Sequence, residues 1–212
     1  ELVAAARVPF NWTHYGSSIS HCVEADSPLG VWPSRIAQDL GLNLTSLGMA
    51  GSANVEYFAA KTIASIPADL ITLKLGINVV AGATMTKRTF IPAVHAMLDV
   101  IREQQPDVKI VLISPIYCPG LETQPGPVVT NAAGQVLGSE FSPVEWIGEL
   151  TLQGVREILL EITAQRNDEK LRYLDGLEFF SSKDVGLMPD HLHPNAEGYL
   201  LMAERAKRLL FS

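Results

Sequence analysis

A serine, a histidine and an aspartate stand in this chain where acyl chemistry would want them. Ser18 lies in Gly16-Ser17-Ser18-Ile19 near the start, and Asp190-His191-Leu192-His193 lies near the end. A serine hydroxyl is a poor nucleophile until a base takes its proton. An imidazole does this best when a carboxylate fixes its tautomer and stabilises the imidazolium that forms. Asp190 and His193 are three residues apart, so one turn of chain can bring the carboxylate to the ring. The oxyanion that develops after attack needs donors already in place, and a backbone N–H with the side-chain amide of Asn78, in Gly76-Ile77-Asn78, would supply them. Each piece alone has an ordinary reading. A serine in a glycine turn and a Gly-x-Asn at a strand exit are common turn chemistry. Together and in this order they point to a serine hydrolase with Ser18 as nucleophile, His193 as base and Asp190 as its orienting carboxylate.

On these residues the chain resembles the SGNH (GDSL-like) hydrolases, named for Ser, Gly, Asn and His in four sequence blocks. The resemblance runs from Tyr15 to about Tyr199. It implies that Ser18 is the nucleophile, and that the oxyanion hole is made by Ser18, by Gly51 and by Asn78. Within Leu47-Gly48-Met49-Ala50-Gly51-Ser52, Gly51 is the preferred block-two glycine and Gly48 the second choice. The last block's Asp-x-x-His falls on Asp190 and His193. Three positions depart from the pattern: Ser17 replaces the usual aspartate before the nucleophile, Cys22 a usual glycine, and Val79 the usual aspartate after the block-three asparagine. No reacting group is lost, which weighs against a non-enzymatic binding module on the same fold. The resemblance implies carboxylic esters as substrates, and the Gly-Ser-Ser-Ile variant suggests small acyl groups, such as acetyl, on a sugar or other polyol. A longer-chain ester or thioester, or acyl transfer to an alcohol, is the alternative.

The elements that must position these residues alternate short apolar runs with longer amphipathic ones, the pattern of a parallel sheet covered on both faces by helices. Strands are expected near Asn11 to Tyr15, Asn43 to Leu47, Leu70 to Leu75, Lys109 to Ser114 and Leu171 to Leu174. Helices are expected over Val31 to Leu40, Val55 to Ser65, Phe90 to Gln104, Pro143 to Arg166 and Asn195 to Leu210. The predicted fold is an α/β three-layer α/β/α sandwich on a five-stranded parallel sheet, flavodoxin-like, with residues 1–212 as a single domain. Ser18, Gly51 and Asn78 then follow the first, second and third strands, on the edge where such sheets carry their sites. The stretch from Tyr117 to Ser142 is broken by prolines and glycines. A loop of that length is usually functional or disordered. Its Leu121, Val128, Val129, Val136, Leu137 and Phe141 would line an acyl pocket, form a lid, or pack among themselves in a surface excursion. Ser17, His191, Tyr117 and Phe141 are the candidate substrate contacts.

The 212 residues, 47% hydrophobic and 18% charged, suit one domain with a sizeable core. A formal charge of −7 argues against nucleic acid or an anionic membrane as partner, since either would want a basic patch. No apolar run reaches the roughly 18 residues that span a bilayer, and no signal-peptide layout opens the chain. It begins at Glu1 without methionine, as a processed or excised segment would, so localisation is undetermined and a preceding domain is possible. Nothing indicates the oligomeric state. Two cysteines, Cys22 and Cys118, make no disulfide scaffold. A metal site drawn from His191, His193, Asp190, His14, His21 and Cys22 is the first rival reading. It is set aside because Asp190 and His193 already explain each other. A dinucleotide site is the second rival, and it lacks both the Gly-x-Gly-x-x-Gly pattern and the P-loop lysine. No metal or cofactor is expected, and the expected partner is a small-molecule or carbohydrate ester.

Overall fold

The computed structural model describes residues 10–21 and 23–211. Its main sheet contains β1 (Asn11–Gly16), β2 (Asn43–Gly48), β3 (Leu70–Lys74) and β4 (Lys109–Ile113). A two-residue pair, β5 (Val129–Thr130) and β6 (Val136–Leu137), forms a separate antiparallel ribbon, and β7 (Leu171–Leu174) closes the main sheet. Among the described residues that sheet has five strands in the order β2-β1-β3-β4-β7, every pairing parallel. The central β3, Leu-Ile-Thr-Leu-Lys, is buried along its whole length. This is what a strand covered on both faces requires, and it explains the unbroken apolar runs. The edge strand β2 is partly exposed and carries Asn43, Thr45 and Ser46.

Helices α2 (Trp32–Leu40) and α7 (Ala196–Phe211) pack together on one face, while α3 (Tyr57–Ser65), α5 (Lys87–Gln104) and α6 (Leu152–Arg166) cover the other. The first face is aromatic. Trp12 of β1 meets Trp32 at 6.0 Å and Phe211 at 5.2 Å between ring centroids. Full burial of one such side chain stabilises by about 1.5–3 kcal/mol, so this seam is a principal tie between helix layer and sheet. Counting parallel strands alone, the order is 2-1-3-4-5, whose chain reversal opens a crevice beyond the carboxyl ends of β1 and β3. Two single-turn helices sit there: α1 (Ser18–His21) after β1 and α4 (Ile77–Ala81) after β3.

Each main strand falls within a residue of its expected bounds. The long helix expected from Pro143 does not. It begins at Leu152, where the Thr151 hydroxyl accepts the Gly154 N–H at 3.1 Å as its cap. Residues 143–151 form turns instead, because Gly148 takes a left-handed φ of 78° and its carbonyl accepts the Lys87 N–H at 2.7 Å. That contact ties the turn to the start of α5. The α5 helix itself begins three residues earlier than expected, since Thr86 and Thr89 cap each other reciprocally.

Polar groups are buried directly beneath the end of β1. Trp12 Nε1 donates to Thr72 Oγ1 at 2.8 Å; His14 Nδ1 lies 2.7 Å from the same hydroxyl, and His14 Nε2 lies 2.7 Å from Ser20 Oγ on α1. Burial, and then the neighbouring Lys74 charge, push His14 down to about 3. Lys74 is itself fully buried, its Nζ has no hydrogen-bond partner among the described residues, and desolvation lowers it to about 7.

Candidate active site

β1 ends at Gly16, and the chain turns at once into α1, with Ser18 as its first residue. The turn is tight. A Cβ on Gly16 would lie 2.5 Å from Ser20 Oγ, so only glycine allows α1 to fold back this closely. Ser17 is fully buried and its Oγ accepts the Ile19 N–H at 3.3 Å. It braces the turn and does not face solvent.

The loop before α7 reaches over the same edge. His193 Nε2 lies 2.8 Å from Ser18 Oγ, and His193 Nδ1 lies 2.6 Å from Asp190 Oδ2. The second oxygen, Asp190 Oδ1, accepts the backbone N–H of Leu192 at 2.9 Å and of His193 at 2.6 Å. One carboxylate thus folds the loop and aims the ring. An ionised carboxylate can only accept, so Nδ1 carries a proton, and in the neutral ring Nε2 is left to accept from Ser18. Partial burial works to raise the Asp190 carboxyl. The hydrogen bonds from the His193 ring and from the two backbone N–H groups outweigh it and hold the group below the ordinary carboxylate range.

Across the cleft, Gly51 takes a left-handed φ of 70° with open space where a side chain would be, so its backbone conformation, not crowding, asks for glycine. Gly48 is different. It pairs with Gly16 inside the sheet, and a Cβ there would lie 2.7 Å from His21 Cα. Asn78 Oδ1 accepts the Ala53 N–H at 3.0 Å. Only oxygen can take that bond, so the orientation of the amide is fixed and its NH₂ is left for the cleft. Ser18, Gly51, Asn78 and His193 line a cleft of about 400 Å³, whose remaining walls are Val23, Ala50, Ala81, Gly82, Val128 and Leu192. Those walls are aliphatic and uncharged.

The other candidate contacts lie elsewhere. Tyr117 and Phe141 are not among the lining residues, and Phe141 is 77% exposed. His191 adopts a φ of 63°, its ring Nε2 lies 3.1 Å from the Gln135 amide, and its carbonyl accepts the Cys118 S–H at 2.9 Å. Burial pushes the Cys118 thiol up to about 12, which makes it an inert donor. Cys22 lies outside the described residues. The stretch from Tyr117 to Ser142 is docked against the site at two points. Its β6 strand donates the Val136 N–H to the Asp190 carbonyl at 2.8 Å, and Val128 donates to the Ala81 carbonyl at 2.9 Å. Of its six candidate apolar residues only Val128 reaches the cleft; Leu121 and Val136 are buried below, and Val129, Leu137 and Phe141 face outward. Sequence reasoning missed Ala81 and Gly82, three and four residues after Asn78. They share its helical face, which becomes visible only once α4 is known to be a helix.

Among the described residues no three His, Cys, Asp or Glu side chains gather as metal ligands. Both ring nitrogens of His14 are already engaged inside the core.

The profile of the GDSL-like Lipase/Acylhydrolase family matches residues 14–201. Among solved structures, the salicylyl-acyltransferase SsfX3 from a tetracycline biosynthetic pathway is 28% identical with a TM-score of 0.76, over 94% of this chain and 53% of that one. A GDSL-like lipase homologue from Bacteroides ovatus is 22% identical with a TM-score of 0.71, over 95% and 52% respectively. A family two carbohydrate esterase from Clostridium thermocellum, in complex with cellohexaose, shares the fold at 15% identity and a TM-score of 0.67, over 99% and 66%. The chain therefore spans about half the length of the first two. No curated protein matches it at a significant level.

Proposed function

The chain belongs to the GDSL-like lipase/acylhydrolase family, and from that premise we propose that it cleaves carboxylic esters through an acyl-enzyme on Ser18. The observation that carries the reading is the unbroken line from Ser18 Oγ to His193 Nε2 at 2.8 Å and from His193 Nδ1 to Asp190 at 2.6 Å. His193 takes the serine proton as Oγ attacks the ester carbonyl. The oxyanion is received by the N–H groups of Ser18 and Gly51 and by the Asn78 amide. The imidazolium, stabilised by Asp190, then protonates the departing alcohol. Water attacks the acyl-enzyme with His193 again as base, which regenerates Ser18.

The small residues nearest the oxyanion donors, Ala50, Ala81 and Gly82, suit a small uncharged acyl group such as acetyl, carried on a sugar or other polyol. The likeness to SsfX3 at 28% identity favours a second reading, a bulkier acyl group passed to an alcohol acceptor. Both routes pass through an acyl-enzyme on Ser18 and differ in the size of the acyl group and in what resolves it.

A serine-directed fluorophosphonate should label Ser18, and Ser18→Ala should lose label and about a thousandfold or more in kcat. An active Ser18→Ala beside a dead Ser17→Ala would move the nucleophile by one residue. A p-nitrophenyl ester series from acetyl upward, run with and without an alcohol acceptor, separates the two substrate readings. A maximum at acetyl with no transfer product supports the first, and a larger optimum with transfer supports the second.

A further inference from the structure

The three segments proposed to carry the oxyanion donors are joined by a second set of hydrogen bonds that no step of the reaction uses. Tyr15 is fully buried and lies three residues before Ser18. Its phenolic O–H donates to Glu56 Oε2 at 2.5 Å, and its oxygen accepts the Val55 N–H at 3.2 Å. The other carboxylate oxygen, Glu56 Oε1, accepts the Asn54 N–H at 2.7 Å. The chain after Gly51 is therefore wound around one carboxylate. The winding forces Val55 to a φ of 61°, a conformation that a β-branched residue avoids because its Cβ crowds the backbone. From the same turn two bonds cross to the α4 region: the Ala53 N–H to Asn78 Oδ1 at 3.0 Å, and the Thr84 hydroxyl to Asn54 Oδ1 at 2.7 Å.

We infer that the Tyr15–Glu56 pair is a positioning device for the oxyanion hole, holding the strained turn at Val55 so that Ala53 keeps the Asn78 amide aimed into the cleft. The inference rests on the reading of Gly51 and Asn78 as oxyanion donors. Strain of this kind persists only where the surroundings over-determine it, and here the phenol and the carboxylate do so from both sides. Without the phenol, Val55 is free to relax toward negative φ, Ala53 two residues earlier moves with it, and the bond that orients Asn78 is lost. Burial, and then the bond to Glu56 and its charge, push the Tyr15 phenol above its ordinary range, so it remains a donor at any working pH.

A double-mutant cycle tests this. Tyr15→Phe should lower kcat by about tenfold or more while KM stays within about twofold, because a loosened donor is missed only in the transition state. In an Asn78→Ala background the same substitution should cost less than about twofold. Equal losses in both backgrounds, or a loss confined to KM, would reduce Tyr15 to a packing residue and overturn the inference. If Asn78→Ala alone leaves kcat intact, the failure belongs to the oxyanion reading and not to the Tyr15 step. Thr84→Val, at the exposed end of the network, supplies the same cycle should Tyr15→Phe not fold. Its smaller kcat loss, roughly two- to fivefold, must likewise vanish without the Asn78 amide.

Discussion

The two sides of the cleft are held by different means. The His193 side is a loop closed on its own carboxylate, Asp190, and gripped from behind by the Val136 backbone and the Gln135 and Cys118 side chains. The Gly51–Asn78 side grows from the ends of the edge strand β2 and the central strand β3, and the buried Tyr15–Glu56 pair ties its backbone: a left-handed Gly51, a strained Val55 and an amide pinned by a backbone N–H. Proton transfer tolerates small adjustments of a ring. Stabilising a developing charge requires donors that do not reorganise. The division of scaffold follows the proposed division of labour.

The strongest way to break that comparison is to remove the base. His193→Ala should lower kcat by on the order of a hundred-thousandfold or more under saturating ester, with the fold retained by circular dichroism. Asp190→Asn should lose about ten-thousandfold, because an amide can hold the ring in the wrong tautomer. Its thermal unfolding should also shift down, since the carboxylate folds the loop as well as aiming the ring. Asn78→Ala, on the other side, should cost about a hundred- to a thousandfold in kcat with KM nearly unchanged; a raised KM with normal kcat would place Asn78 in ground-state binding instead.

The floor beneath both sides gives a prediction in stability. Lys74 titrates near 7 in the fold and near its ordinary value when unfolded, so between those values the unfolded chain binds more protons and stability should rise with pH. Lys74→Met should abolish that rise and stabilise the protein by about 1 kcal/mol or more at pH 7, measured by urea unfolding, because it removes an unpaired buried amine. The smallest expected effect is that of His191→Ala, which perturbs the same loop without touching Ser18. Activity should stay within about threefold of the parent, and a collapse to the level of His193→Ala would transfer the role of base to His191.

The parallel sheet was legible because buried strands such as Ile110–Ile113 are short apolar runs bounded by breakers, and period and length decide such elements locally. The candidate residues Ser18, Gly51, Asn78, Asp190 and His193 were legible because each falls at a strand exit or helix entry, in order. Other features depend on partners distant in sequence. The late start of α6 reflects Gly148 bonding Lys87, and α4 is a helix of five residues that no periodicity can announce. Phe141 read as a pocket residue because it is apolar in a loop; which loop residue turns inward is decided by β5 and β6 docking on the Asp190 loop. Tyr15 and Glu56, 41 residues apart, give no joint signal in one sequence.

Gly120 and Gly126 press against backbone, the latter so closely that a Cβ would lie 2.1 Å from the Val80 carbonyl oxygen. The base of the excursion is therefore rigidly fitted to α4. Its tip, from Ala132 to Gly134, is solvent-exposed, and a Cβ on Gly134 would meet nothing. Changes in length should be absorbed at that tip, whose backbone bonds stay within the Asn131–Gln135 turn and reach no other element. Natural relatives and laboratory libraries alike could therefore vary the hairpin freely, reshaping the approach to the cleft without disturbing the groups inside it.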